Sequence, residues 1–257
     1  MRLFWTQLRK ELYEQWATRK TLILLAVMLT IGFLSPLSAK LLPQLVASLG
    51  EGQNVTIILP DPTVGDALAQ FIKNTSQMVM IVVLLIAAIA VVSERERGLM
   101  TLIFPHALPR STFVLAKFVA LALLLLIGIV VEALATYVYS ALLFTAPDPA
   151  AFAGIVLLLY LYLLVLTALA LLASTLGQTT IAAGSITFLF VILLMISGIF
   201  ANFAPGKLVD WSAALAMGMA VQPRWDAVVV TLLLTGLAVA AACVVLNRQE
   251  ITSASGT

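Results

Sequence analysis

Residues 149–206 read PAAFAGIVLLLYLYLLVLTALALLASTLGQTTIAAGSITFLFVILLMISGIFANFAPG, 58 consecutive positions without a charged side chain between Asp148 and Lys207. A helix crosses the roughly 30 Å hydrocarbon layer with about 20 apolar residues. The run is too long for one crossing, so it must fold back. The only polar punctuation inside it is Ser174-Thr175-Leu176-Gly177-Gln178-Thr179-Thr180. Two spans follow, about Phe152 to Ala173 and Ile181 to Phe200. The rest of the 257-residue chain has the same character: 62% of residues are apolar and 10% charged, against about a quarter charged in soluble domains. The bilayer is therefore the solvent.

Outward from that stretch, four further spans are predicted: Thr21 to about Leu42, Thr75 to Val92, Phe113 to beyond Tyr137, and the uncharged run between Asp226 and Arg248. Six crossings put both termini on one side. That side carries 10 Lys and Arg residues (Arg2, Arg9, Lys10, Arg19, Lys20, Arg95, Arg97, Arg110, Lys117, Arg248) and the other 4 (Lys40, Lys73, Lys207, Arg224). The positive-inside bias makes both termini cytoplasmic. The expectation is an all-α, polytopic protein of the cytoplasmic membrane, a single transmembrane domain over 1–257, with no cleaved signal peptide.

Three parts lie outside the spans. In 1–20, Trp5, Leu8, Leu12 and Trp16 recur at helical spacing opposite Gln7, Lys10, Glu11 and Glu14. This predicts an amphipathic helix in the interface plane, apolar face down, either as a plain anchor or also touching a cytoplasmic partner. Between the second and third spans, the segment 93–112 holds the densest charge, SERERGLMTLIFPHALPRS at 93–111. Gly98 can break the second helix, and Leu99 to Phe104 can form a short apolar helix stopped by Pro105. Such an element suits a groove in another protein or a rest on the membrane surface. The external loops are placed at 44–74 and 201–225. Thr63 and Asp66 predict a capping box ahead of Ala67, Leu68, Phe71 and Ile72. Trp211, Leu215 and Met219 mark a second short amphipathic piece, and both pieces read as lids or as interfacial padding.

The chemistry is sparse. A phosphate loop and a dinucleotide fingerprint are absent, so no ATP binding by that route is expected. Cys243 is the single cysteine and His106 the single histidine, which excludes an internal disulfide and a standard zinc site. His106 sits in the connector and reads as an incidental loop residue, not as the base of a catalytic triad. A net charge of +2, with dispersed basic residues, argues against nucleic acid. The pairs Met78/Met80 and Met217/Met219 have thioethers suited to Cu(I), but methionine also fills apolar helices, and no metal site is assigned. Glu132 is the one acid inside a span, one turn before Thr136. An ionisable group there is a functional candidate: together with Thr136 it lines a translocation path, or it bonds a neighbouring helix.

The connector resembles the permease subunits of type-2 ATP-binding-cassette (ABC) exporters. Glu94, Glu96, Gly98, Leu102, Arg110 and Lys117 fall in the register of that family's second cytoplasmic segment without gaps, while Leu99 replaces a usual threonine and Ala107 a usual proline. Within the class the chain also resembles permeases linked to maturation of multi-copper enzymes such as nitrous-oxide reductase. The resemblance implies a permease that pairs with a second copy, as a homodimer, and docks two cytosolic ATPase subunits, which hold the ATP and Mg. It also implies a coupling element made of Glu94, Glu96, Gly98, Leu99, Leu102, Ile103 and Phe104, with Arg110 at its return to the membrane. An ion-driven secondary transporter, which tends to carry several ionisable midplane groups or repeats, and an assembly factor without a transported substrate are the competing readings.

Overall fold

The computed structural model describes residues 2–51, 61–98, 109–219 and 222–248. The elements are α1 (Arg2–Ala17), α2 (Lys20–Glu51), α3 (Val64–Asn74), a π-helical turn (Thr75–Val79), α4 (Met80–Ala88), α5 (Val92–Glu96), α6 (Arg110–Leu143), α7 (Pro149–Leu176), α8 (Thr180–Phe200), α9 (Lys207–Ala216) and α10 (Trp225–Arg248). Six helical runs are long and apolar enough to cross a membrane: Lys20–Val46, Val64–Glu96, Arg110–Leu143, Pro149–Leu176, Thr180–Phe200 and Trp225–Arg248. Helices satisfy their own backbone groups, which hydrocarbon requires. Over the described residues the protein is an all-α, multi-pass membrane protein with six spans.

The middle of the bundle is α7, whose Leu159, Leu163, Leu166 and Leu171 are fully buried. The outer helices α8 and α10 leave Phe188, Leu193, Leu233 and Leu237 exposed, as lipid-facing residues should be. Where α2 crosses α6 the backbones nearly touch: a Cβ on Gly32 would lie 2.6 Å from the Glu132 carbonyl oxygen and 2.9 Å from Ala135 Cβ. A small residue at such a crossing lets two membrane helices pack closely.

The first span runs well past the expected Leu42, through Pro36 and Pro43. Proline inside a helix removes one N–H and frees the carbonyl four residues back. For Pro36 that carbonyl belongs to Gly32, and Thr136 Oγ1 of α6 donates to it at 3.1 Å. A neighbouring hydroxyl thus completes the interrupted ladder, the usual remedy in membrane helices.

The placement of 44–74 as an external loop needs correction. Its first residues continue α2 to Glu51, and residues 64–74 form α3, which runs through the π turn into α4 as one span. The capping box forms as expected, with Thr63 N donating to Asp66 Oδ2 at 2.8 Å and Asp66 N to Thr63 Oγ1 at 3.4 Å. The four apolar positions it precedes are all buried, and Phe71 meets Phe152 of α7 with ring centroids 5.9 Å apart. This piece is bundle, and neither a lid nor padding. In 201–225, α9 is the expected second piece: Leu208 is buried, and Trp211 stands edge-on to Trp225 at 5.9 Å.

The N-terminal helix has the two sides that its periodicity predicts, and the structure adds what the polar side meets. Its polar side is not solvated: Gln7, Glu11 and Gln15 are buried, while Trp5, Tyr13 and Trp16 are exposed. The helix turns its polar stripe into the bundle, with Leu8 packed on Ala116 and Ala120 of α6.

Candidate functional site

At the end of the bundle that holds α1 and the close of α10, the second span breaks and re-forms. The helix α4 stops at Ala88, α5 covers Val92–Glu96, and Gly98 follows with φ +69°. That left-handed backbone suits glycine, as its expected role as a breaker requires. The break leaves amide groups without helical acceptors, and Val91 N and Val92 N both donate to Ser174 Oγ, at 3.0 and 3.1 Å.

Three successive residues of α5 then grip three different parts of the molecule. Glu94 points inward and is buried. Its Oε1 receives Lys117 Nζ of α6 at 2.7 Å and Lys10 Nζ of α1 at 3.2 Å. Lys117 also reaches Glu11 Oε2 at 2.7 Å, and Lys10 reaches Glu11 Oε1 and Glu14 Oε2, each at 3.3 Å. The carboxylates of Glu11, Glu14 and Glu94 lie within 4.8 Å of one another. The tethered ammonium of Lys10 stands among them as their cation. Burial acts to lower the Lys10 pKa, but Glu11, Glu94 and Glu14 outweigh it and hold the ammonium above the usual lysine value. Burial likewise acts to raise Glu14, and Lys117 and Lys10 draw it below the usual carboxylate range.

Arg95 and Glu96 hold the turn between α7 and α8. Arg95 donates to the carbonyl oxygens of Gly177 and, at 3.2 Å, Thr175, where α7 ends. Glu96 accepts from Thr180 N at 2.6 Å and Thr180 Oγ1 at 2.7 Å, where α8 begins. A cation on a helix's last carbonyls and an anion on the next helix's first amides both follow the helix dipoles. On the far side of the connector, Arg110 donates to the Leu246 and Asn247 carbonyls at the end of α10, at 3.1 and 3.0 Å. The residues flanking the connector therefore hold α7, α8 and α10 by their ends, α1 at its middle and α6 two turns from its start.

The structure thus brings Glu94, Glu96, Gly98 and Arg110 to one end of the bundle, as the sequence suggested. It gives both Glu94 and Glu96 intramolecular partners, with Glu94 buried and Glu96 still exposed. Leu99, Leu102, Ile103, Phe104 and His106 lie outside the described residues. Sequence reasoning missed the partners Lys10, Glu11, Ser174 and Thr180. One signal was available for α1: Gln7, Glu11 and Gln15 recur every four residues, a polar stripe along one helix line.

In the opposite half of the bundle, Glu132 is fully buried. Its Oε1 accepts from Thr75 Oγ1, the first residue of the π turn, at 2.7 Å. Its Oε2 has no hydrogen-bond partner among the described residues. Nearby, Asn74 Nδ2 donates to Ser35 Oγ at 2.9 Å. A polar seam thus joins α2, the π turn and α6, and π turns recur at functional sites. Of the methionine pairs, Met80 faces the Tyr162 hydroxyl at 3.8 Å, and Met78, Met217 and Met219 are exposed.

Comparison with known proteins accords with this architecture. Residues 5–213 match the family model described as ABC-2 family transporter protein. The chain is also similar to an uncharacterized transmembrane protein, YxlG, of Bacillus subtilis (strain 168), with 23% identity over 190 residues that cover 72% of each chain. With six spans, and with that match over most of its length, the chain belongs to the ABC-2 family of transporters, as a multi-pass transmembrane subunit.

Proposed function

We propose that this chain is the permease of an exporter, driven by two separate cytosolic ABC ATPases that dock on its 93–112 segment. ATP and Mg belong to those subunits, the permease works as a homodimer in the cytoplasmic membrane, and both termini face the cytoplasm. The supporting observation is the set of grips around the connector. A push on Leu99, Leu102, Ile103 or Phe104 reaches Glu94, Arg95, Glu96 and Arg110, and through them five helices, three of them at their ends. Docking energy delivered there shifts the balance between inward-open and outward-open arrangements, because it differs between the two. In this reading Glu94 and Glu96 are positioning residues, and the apolar Leu99 to Phe104 run meets the ATPase.

Co-expression with a cassette-type ATPase encoded beside the gene tests the assignment. The wild type is expected to retain the ATPase through purification, and Leu102→Asp with Phe104→Asp to lose it while still inserting in the membrane. Retention by that double variant would overturn the docking assignment. Solute movement down an ion gradient by the purified chain alone would overturn the function.

The buried seam at Glu132 is the proposed path element in the other half of the bundle. Glu132→Gln keeps an acceptor for Thr75 but removes the ionisable group. It is expected to insert normally and to lower nucleotide-driven transport severalfold, and unchanged transport would take Glu132 out of the path. Thr136 enters the same seam through its bond to the Gly32 carbonyl.

A further inference from the structure

The exposed side of α1 carries a second stripe, opposite the polar one. Trp5, Arg9, Leu12 and Trp16 follow at spacings of four, three and four, so they share one face of α1. Arg19 stands just past the end of that helix at Ala17, and all five are exposed. Both acidic residues of α1, Glu11 and Glu14, are engaged on the other side by Lys10 and Lys117. The outward face is left with aromatic, aliphatic and guanidinium groups. Among the described residues, no carboxylate lies within ion-pair distance of Arg9 or Arg19.

Arg19 itself carries information. It adopts φ +59°, the one non-glycine residue with positive φ among the described residues. A corner of that kind between two helices is ordinarily the place of glycine or asparagine. The arginine stands there at a conformational cost, with its side chain exposed beside Trp16 at the entry to the first span. Tryptophan settles at headgroup depth, and arginine pairs with phosphate in bidentate fashion.

We infer that this stripe is a binding surface for the phosphates of anionic phospholipids, with Arg9 and Arg19 as the headgroup ligands and Trp5, Leu12 and Trp16 as the apolar floor. The same helix carries Lys10 and Glu11 on its reverse side, so lipid held here bears on the connector through the Glu94 ion pairs. The surface is independent of which ATPase docks and of what is transported.

The test uses the full chain reconstituted in vesicles of phosphatidylcholine containing dibrominated phosphatidylglycerol, or an equal amount of dibrominated phosphatidylcholine. Bromine quenches nearby tryptophan, and Trp211 and Trp225 at the far end of the bundle give a background common to all variants. The wild type is expected to prefer phosphatidylglycerol. A basic residue near an anionic surface contributes about five-fold in affinity, so Arg9→Gln and Arg19→Gln should each lower the preference about five-fold and together roughly twenty-five-fold. About 1 M salt should abolish it, since the screening length falls to about 3 Å. Arg19→Gly provides the decisive contrast, because it relieves the left-handed corner. It should melt no lower than wild type while losing the same preference. Equal quenching by the two lipids in the wild type would overturn the proposal and point to an acidic protein surface as the partner. So would a preference unchanged in the double variant.

Discussion

Lys117→Met is expected to destabilise the folded chain by about 3–5 kcal/mol, the cost of removing one partner from a buried ion pair. Lys117 is 4% exposed in its side chain and stands between Glu11 and Glu94, which are 5% and 3% exposed. Without its ammonium, two carboxylates remain buried against each other with only Lys10 to share. Lys10 is 43% exposed, and water screens it, so Lys10→Met should cost no more than about 1 kcal/mol, in the range of surface pairs. The contrast between two lysines that touch the same carboxylates separates burial from charge. Adding Glu11→Gln and Glu94→Gln to Lys117→Met should recover most of the loss, since hydrogen-bonded neutral amides need no counter-ion. Thermal unfolding in detergent measures all four proteins. A Lys117→Met loss below about 1 kcal/mol, with no gain from the glutamines, would show that the network is not a structural unit.

The same network shows where sequence reading stops. The six spans were legible because hydrocarbon imposes a length on every apolar run, and the breaks at Asp148, Lys207 and Asp226 have no other explanation. Thr63 with Asp66, and Gly98, were legible because capping and left-handed backbone are local matters. The continuity of α3 into α4 was not, because Lys73, Asn74 and Thr75 look like a loop until Ser35 and Glu132 supply bonds to the last two. The course of α2 through Pro36 depended on Thr136, a hundred residues away. Periodicity correctly gave α1 a polar and an apolar side, but it cannot say what each side meets. The polar side meets Lys117, and the bundle takes it inward. The residues Glu94 and Glu96 were found by their place in the connector, yet their partners lie on other helices, so their work as ties within the chain had no local signature.

Gly177→Ala offers the second large effect, and under the proposed coupling it bears on transmission more than on stability. Gly177 has φ −67°, so nothing in its own backbone calls for glycine. The demand comes from the next helix: an added Cβ would lie 2.7 Å from Ala183 N and 2.8 Å from both Ala183 Cα and Cβ. Backbone atoms cannot step aside as a side chain can, so the first turn of α8 must move away from the end of α7. That displacement separates the Gly177 carbonyl gripped by Arg95 from the Thr180 groups gripped by Glu96. The expected cost is about 1–3 kcal/mol, as for overpacked cores. If the connector drives α8 through this turn, acceleration of ATP hydrolysis by the permease should fall roughly ten-fold while the ATPase stays bound. Gly184→Ala in the same helix is the control. Its Cβ meets nothing within 4 Å, and alanine is the better helix former by up to about 1 kcal/mol, so it should leave both stability and coupling intact. If Gly177→Ala hydrolyses ATP as fast as Gly184→Ala, the α7–α8 turn carries no part of the stroke. Transmission would then have to run through α1 and α6 by the Glu94 ion pairs, or through α10 by Arg110.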